Sequence, residues 1–261
     1  RARIAAEHEA ARARREANPE PEPKSERFGG RCPICREEWG VNTPALIRVC
    51  CCRKICASCS RSVQYKPCPL CRAPWPTNDA ECLALVRRHV QNEVPEALWS
   101  LGNTYFYGDQ AVVKSSKKAA KLWKRAVELG NVDSMMNLGY LYEVGDGVKQ
   151  DTRKALQLYR MGGDRGDANA ACKAGKLLHH LGVGGLGTPQ EAFRYYKIAA
   201  EAGVTEAIFY TGVAYRRGEG CDEDEEAALH WFERGALGSD LGSEKCRNSL
   251  AFMHAYMAMP P

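Results

Sequence analysis

With 261 residues, 44% of them hydrophobic and 26% charged, the chain is long enough for one or two packed domains, and no apolar run approaches the roughly 20 residues needed to span a bilayer. The formal net charge of +5 is unevenly placed: residues 1–27 carry seven Lys/Arg against six Asp/Glu, residues 28–76 eight against two, and residues 77–261 22 against 24. The basic middle segment has neither the histidine-containing C2H2 spacing nor an aromatic stacking platform, so its charge reads as solvated surface and nucleic acid is not an expected partner.

Residues 1–17 are rich in Ala, Arg and Glu with few apolar side chains to bury, which predicts a solvated helix. The run Pro19-Glu-Pro-Glu-Pro23 has linker composition, so residues 1–27 read as a charged helical arm and a proline-rich linker. No apolar signal segment follows Arg1, and the expected location is intracellular, cytoplasmic or nuclear.

Residues 32–71 hold nine of the 13 cysteines: Cys32 and Cys35, the run Cys50-Cys51-Cys52, Cys56 and Cys59, and Cys68 and Cys71. Three of these groups are Cys-x-x-Cys pairs, a spacing that lets two thiolates on one tight turn reach a tetrahedral zinc ion at about 2.3 Å. The run supplies a fourth pair. Cys50 with Cys52 is preferred, because one intervening residue points both side chains the same way in extended backbone; a pair that uses Cys51 is the alternative. A disulfide framework is the competing reading, but it needs α-carbons about 4.4–6.8 Å apart with a defined torsion, which three consecutive cysteines meet poorly.

The series resembles an all-cysteine RING finger, in which the first and third ligand pairs hold one zinc ion and the second and fourth hold another. That resemblance implies a cross-braced module over residues 28–76 with two zinc ions on Cys32, Cys35, Cys50, Cys52, Cys56, Cys59, Cys68 and Cys71. It also implies a ubiquitin ligase module that binds a ubiquitin-conjugating enzyme charged with ubiquitin, the zinc ions being structural. The enzyme-binding positions would then be Ile34, Val63, Pro69 and Arg72, Val63 standing where many family members carry tryptophan.

Closely spaced prolines at 74 and 76 stop regular structure, and Thr77, Asn78 and Asp79 are candidate N-caps for a helix with Leu83, Leu85, Val86 and Val90 at helical spacing. Residues 77–95 are therefore predicted to be a connecting helix. From Glu96 the chain repeats itself. Glycines at 102, 139, 175 and 212 are separated by 37, 36 and 37 residues, and a second series at 130, 166, 203 and 238 follows with steps of 36, 37 and 35. Each period holds two apolar-striped helical segments around a glycine-containing loop, so each unit is predicted to be an antiparallel helix pair that buries its apolar face by stacking on its neighbours. Residues such as Gly139 would let the paired helices approach, and the second glycine series would supply left-handed caps.

The pattern A-x4-G-x2-Y followed by G-x-GV-x2-D resembles the SEL-one-like repeat, a relative of the tetratricopeptide repeat. It occupies residues 96–261, in units of about 96–132, 133–168, 169–204 and 205–239 with a partial capping unit at 244–256. Three loops depart from the pattern, at Gly108-Asp-Gln-Ala, at His179-His-Leu-Gly, and at Cys221, which replaces the usual valine. Aromatic and Met residues at helical spacing read as core. His179 and His180 point in divergent helical directions and, with Cys172, make no expected metal site; Cys82, Cys172, Cys221 and Cys246 are expected as thiols. The predicted fold is mostly α, a small two-zinc cross-brace module followed by an α-solenoid of antiparallel helix pairs. Two functions follow. The preferred one is a RING-type ubiquitin-protein ligase whose repeats bind a substrate or partner protein, because Ile34, Pro69 and Arg72 are not needed to hold zinc. The alternative is a non-catalytic zinc-binding scaffold or adaptor.

Overall fold

The computed structural model describes residues 45–48, 53–56, 68, 74, 76–108, 112–181 and 187–257. The charged arm and most of the cysteine-rich segment lie outside these residues. Strands β1 (Ala45–Arg48) and β2 (Arg53–Cys56) form an antiparallel pair in which Ala45 faces Cys56 and Arg48 faces Arg53. Everything described beyond Pro76 is helix and short connection.

Helix α1 (Asp79–Gln91) starts where Asn78 Oδ1 accepts the Glu81 N–H at 2.9 Å while Glu81 Oε2 accepts the Thr77 N–H at 2.7 Å. It was expected to connect two parts of the chain, and it also builds the first layer of the stack: Val86 is buried in one cluster with Ala97 and Leu101 of the next helix. Four helix pairs follow: α2 (Pro95–Tyr107) with α3 (Ser116–Glu128), α4 (Val132–Val144) with α5 (Thr152–Asp164), α6 (Ala168–Leu181) with α7 (Pro189–Glu201), and α8 (Thr205–Arg217) with α9 (Glu225–Ala236). Helix α10 (Leu241–Met257) packs on both members of the last pair. Among the described residues no helix is long and apolar enough to cross a membrane.

Local chemistry sets these boundaries. Ser115, Asn131, Asp151, Thr188 and Asp224 are N-caps whose side chains accept a backbone N–H three residues on. Each such cap contributes about 1 kcal/mol to its helix. The second helices of the first three units end alike. The Gly130 N–H donates to Val127 O at 2.9 Å and the Asn131 N–H to Ala126 O at 2.9 Å, with Gly130 at φ +88°, and the pattern recurs at Gly166 and Gly203. This paired arrangement is the Schellman cap, and its left-handed residue favours glycine. At the end of α9 a side chain takes over, Arg247 Nη1 donating to Ala236 O at 2.9 Å and Gly238 O at 2.7 Å.

The glycine at the centre of each first helix is where its partner crosses. A Cβ at Gly139 would lie 2.7 Å from Tyr159 Cε1, one at Gly175 2.8 Å from Tyr196 Cδ1, and one at Gly212 2.6 Å from Phe232 Cε1; at Gly102 it would strike the Trp123 indole. The four aromatic residues are almost fully buried. A full aromatic ring inside each hairpin is thus bought by the absence of one methyl group on the facing helix, and burial of each ring contributes about 1.5–3 kcal/mol. Loops seat one unit on another. A Cβ on Gly147, in the loop of the second unit, would lie 2.5 Å from the Ser116 carbonyl carbon at the start of α3, and Gly220 meets the Pro189 carbonyl at the start of α7 in the same way. The loop containing Cys221 closes as the second unit's does, the Asp224 N–H donating to Tyr215 O at 2.8 Å where the Asp151 N–H donates to Tyr142 O at 2.9 Å.

Candidate functional site

Of the residues singled out in the cysteine-rich segment, Cys32, Cys35, Cys50, Cys51, Cys52, Cys59 and Cys71, with Ile34, Val63, Pro69 and Arg72, lie outside the described residues. Cys56 is the last residue of β2, and Cys68 is buried at 1% exposure. Among the described residues no group of three or more His, Cys, Asp and Glu is placed to hold a metal. Cys172 and Cys246 are buried thiols, and burial, reinforced by Glu206 in the first case, pushes them up to about 12 and about 11, so neither is a thiolate at neutral pH.

The described surface with functional character is the one made by the first helices. Asn137 Nδ2 donates to Asn103 Oδ1 at 3.0 Å, Lys173 Nζ lies 3.2 Å from Glu143 Oε2, and Lys176 Nζ lies 2.8 Å from Glu206 Oε1. These bonds tie α2 to α4, α4 to α6 and α6 to α8. Glu143 also accepts the Tyr159 hydroxyl at 2.6 Å, so one carboxylate joins both helices of its own unit to the next. Burial first, then that carboxylate, raises the Tyr159 pKa and keeps the phenol protonated. The second helices are laced in parallel by Arg160–Glu191 at 2.7 Å and Arg194–Asp164 at 3.0 Å.

The third unit differs from the second at one position on this face. Counting from the helix glycines, four residues past Gly139 stands Glu143, but four past Gly175 stands His179. Tyr196 takes the place of Tyr159 against its glycine, and its buried hydroxyl has no hydrogen-bond partner among the described residues. Beside it lies a cavity of about 430 Å³ between α6, α7 and α8. Tyr196 and Tyr210 stack there at 4.9 Å with 16° between their planes, and His179 meets Tyr196 edge-on at 6.5 Å. Arg216, Arg217, Glu219 and Ser249 add polar groups to its lining, Arg217 lying 3.3 Å from Glu219. Reading every ring as core missed this place. The missing signal was a comparison of units position by position, which shows a tyrosine kept while its carboxylate partner is exchanged.

Consecutive helix pairs that share one periodic core and are laced along both faces define a helical-repeat solenoid. More particularly, the chain belongs to the Sel1 repeat family, whose family model matches residues 95–131, 132–167, 168–204 and 205–240. It is 33% identical over 159 residues to the chitin synthase regulator SKT5 of Saccharomyces cerevisiae, covering 57% of this chain and 22% of that protein. It is 26% identical over 183 residues to the protein of the same name in Malassezia restricta, covering 67% of this chain and 12% of that protein. The chain therefore corresponds to less than a quarter of the length of either relative. Among solved structures, a Sel1 repeat protein from Oxalobacter formigenes superposes with a TM-score of 0.60 at 27% identity, over 69% of this chain and 72% of that one.

Proposed function

We propose that this chain is an adaptor whose repeat stack binds a partner protein. The observation that carries the reading is the continuous face of first helices, where side chains from four units are laced together and half-buried aromatic rings remain at the surface. Stacked repeats expose extended surfaces of this kind, suited to one long partner segment. The relatives support it in kind, since they are described as regulators of an enzyme. The test is photo-crosslinking in intact cells from Tyr140, which is 39% exposed on α4, and from exposed Lys121 on α3. A single protein trapped reproducibly from position 140 and not from 121 is expected. Equal labelling from both, or none, overturns the adaptor reading.

A second reading, the ubiquitin ligase, rests on the cysteine spacing and places an intracellular enzyme-recruiting module before the repeats. Eight thiolates, on Cys32, Cys35, Cys50, Cys52, Cys56, Cys59, Cys68 and Cys71, would hold two zinc ions, which would supply folding energy and no reaction step. The burial of Cys68 and the position of Cys56 at the end of a paired strand support a small ordered module there. Metal analysis of the purified chain should return two zinc ions, and zero or one refutes the cross-brace. Discharge of ubiquitin from a panel of conjugating enzymes separates the functions: zinc-loaded protein that accelerates none of them is a scaffold.

A further inference from the structure

The cavity of the third unit combines three features that the rest of the described stack does not. Its walls are aromatic: Phe193, the stacked pair Tyr196 and Tyr210, and Phe209, over which Lys245 Nζ lies 5.5 Å from the ring centre. Tyr196, only 3% exposed, brings a buried hydroxyl with no hydrogen-bond partner among the described residues. Such a group costs free energy until an acceptor reaches it, which makes it a standing preference for an occupant with one. The charged side chains that line the cavity are Arg216, Arg217 and Glu219, the last engaged by Arg217 at 3.3 Å; Lys245 stands beside them, and Glu206, whose charge also bears on Tyr196, is paired with Lys176 at 2.8 Å. Glu219 also lies 4.0 Å from His179 Nδ1.

Resting on the adaptor reading, we infer that this cavity is the anchoring pocket for an acidic segment of the partner protein: an Asp or Glu carboxylate of that segment accepts from the Tyr196 hydroxyl and faces Arg216 and Arg217, while an adjacent apolar side chain lies against Phe193 and Phe209. The volume of about 430 Å³ falls in the range of about 300–1,000 Å³ typical of pockets that enclose a ligand group. Aromatic and arginine side chains around a desolvated pocket are also the groups that dominate binding energy at protein interfaces. A neutral or basic segment leaves Arg216, which lies over the Phe252 ring and has no carboxylate partner among the described residues, without one, and a purely apolar one leaves the hydroxyl unmet.

The test is selection of phage-displayed random 12-residue peptides on the full chain. The most enriched peptide is then synthesised and titrated by fluorescence anisotropy. Peptides with an acidic residue next to an apolar one are expected. Arg216→Gln with Arg217→Gln should weaken binding at least tenfold and Tyr196→Phe about three- to tenfold, with melting temperatures held within a few degrees, while the double exchange Arg87→Gln and Arg88→Gln on α1 should change nothing. Enriched peptides without an acidic residue overturn the proposal. So does binding insensitive to the pocket variants, although a partner surface elsewhere on the stack would then stand and the adaptor reading with it. Failure to enrich any peptide, with crosslinking from Tyr140 still intact, also overturns the pocket alone. Self-association by light scattering that Tyr196→Phe abolishes would assign the pocket to a second copy and overturn the assignment to a partner.

Discussion

Replacing Tyr159 and Tyr196 by Phe removes the same atom from equivalent places in neighbouring units, yet the two changes should move stability in opposite directions. The Tyr159 hydroxyl donates to the Glu143 carboxylate at 2.6 Å, and hydrogen bonds to charged groups contribute about 1.5–3 kcal/mol. Because Lys173 stays 3.2 Å from the same carboxylate, Glu143 is not stranded, and the low end, about 1.5–2 kcal/mol, is expected. Tyr196 has no such bond to lose. Its hydroxyl is buried without a partner among the described residues, so removing it should be neutral or stabilising by up to about 1 kcal/mol. The two variants should thus differ by about 1.5–3 kcal/mol, or roughly 3–12 °C in melting temperature at about 2–4 °C per kcal/mol for a chain of this size. Urea and thermal unfolding followed by far-ultraviolet circular dichroism measures this directly. Equal destabilisation by both variants would mean that the Tyr196 hydroxyl is satisfied, and the argument for an acceptor in the cavity would fail with it.

Gly139→Ala should lower stability by about 1–3 kcal/mol, because the new methyl would sit 2.7 Å from a fully buried ring; Gly130→Ala meets no atom within 4 Å and should cost only the backbone strain of φ +88°, about 1–2 kcal/mol. Parallel urea melts compare them, and displacement of the Tyr159 ring should appear only in the first as altered aromatic circular dichroism. Deleting one whole period, residues 133–168, should leave a cooperative and helical protein, whereas deleting half of it should not; equal melts would show that the repeat register is wrong. The Asp151 carboxyl is held below its ordinary pKa, chiefly by the Lys154 backbone N–H it accepts and then by the Lys154 side chain. Folding therefore favours its ionised form, so its contribution is present above the unfolded value near 3.9 and is lost as pH falls through the lower folded value. Asp151→Asn, which still caps a helix, should flatten the fall in melting temperature below about pH 4; an unchanged slope would remove Asp151 from that account.

The periodicity was legible because glycine does two jobs at fixed intervals. Gly139 and its equivalents mark where an aromatic ring crosses the helix, and Gly130 and its equivalents end the next helix, so two independent series reported one period. The bonds between units were not legible. Lys173 and Glu143 are 30 residues apart, and nothing local says which first helix lies beside which, or that Glu143 also serves Tyr159. The packing of helix α1 was not legible for a related reason. Its apolar stripe of Leu83, Val86 and Val90 predicted a buried face, but only the fold shows that Ala97 and Leu101 are what it covers. The cavity escaped because Tyr196 has the spacing and burial of a core residue; its distinguishing property is the loss of a partner four residues past a glycine in another helix. Over residues 28–76 the cysteine spacing is still the whole basis for the zinc reading, apart from one buried thiol and one short strand pair.

The loop glycines carry a further consequence. Gly147 rests on the main chain of Ser116 and Lys117, and Gly220 on that of Pro189 and Gln190. At both joints the distance from one unit to the next is set by backbone against backbone, where no exchange of side chains can alter it. The stack is in this respect a ruler whose graduations are cut into the main chain, and the groups displayed along it can diverge freely while a partner that spans several units still finds them at the same intervals.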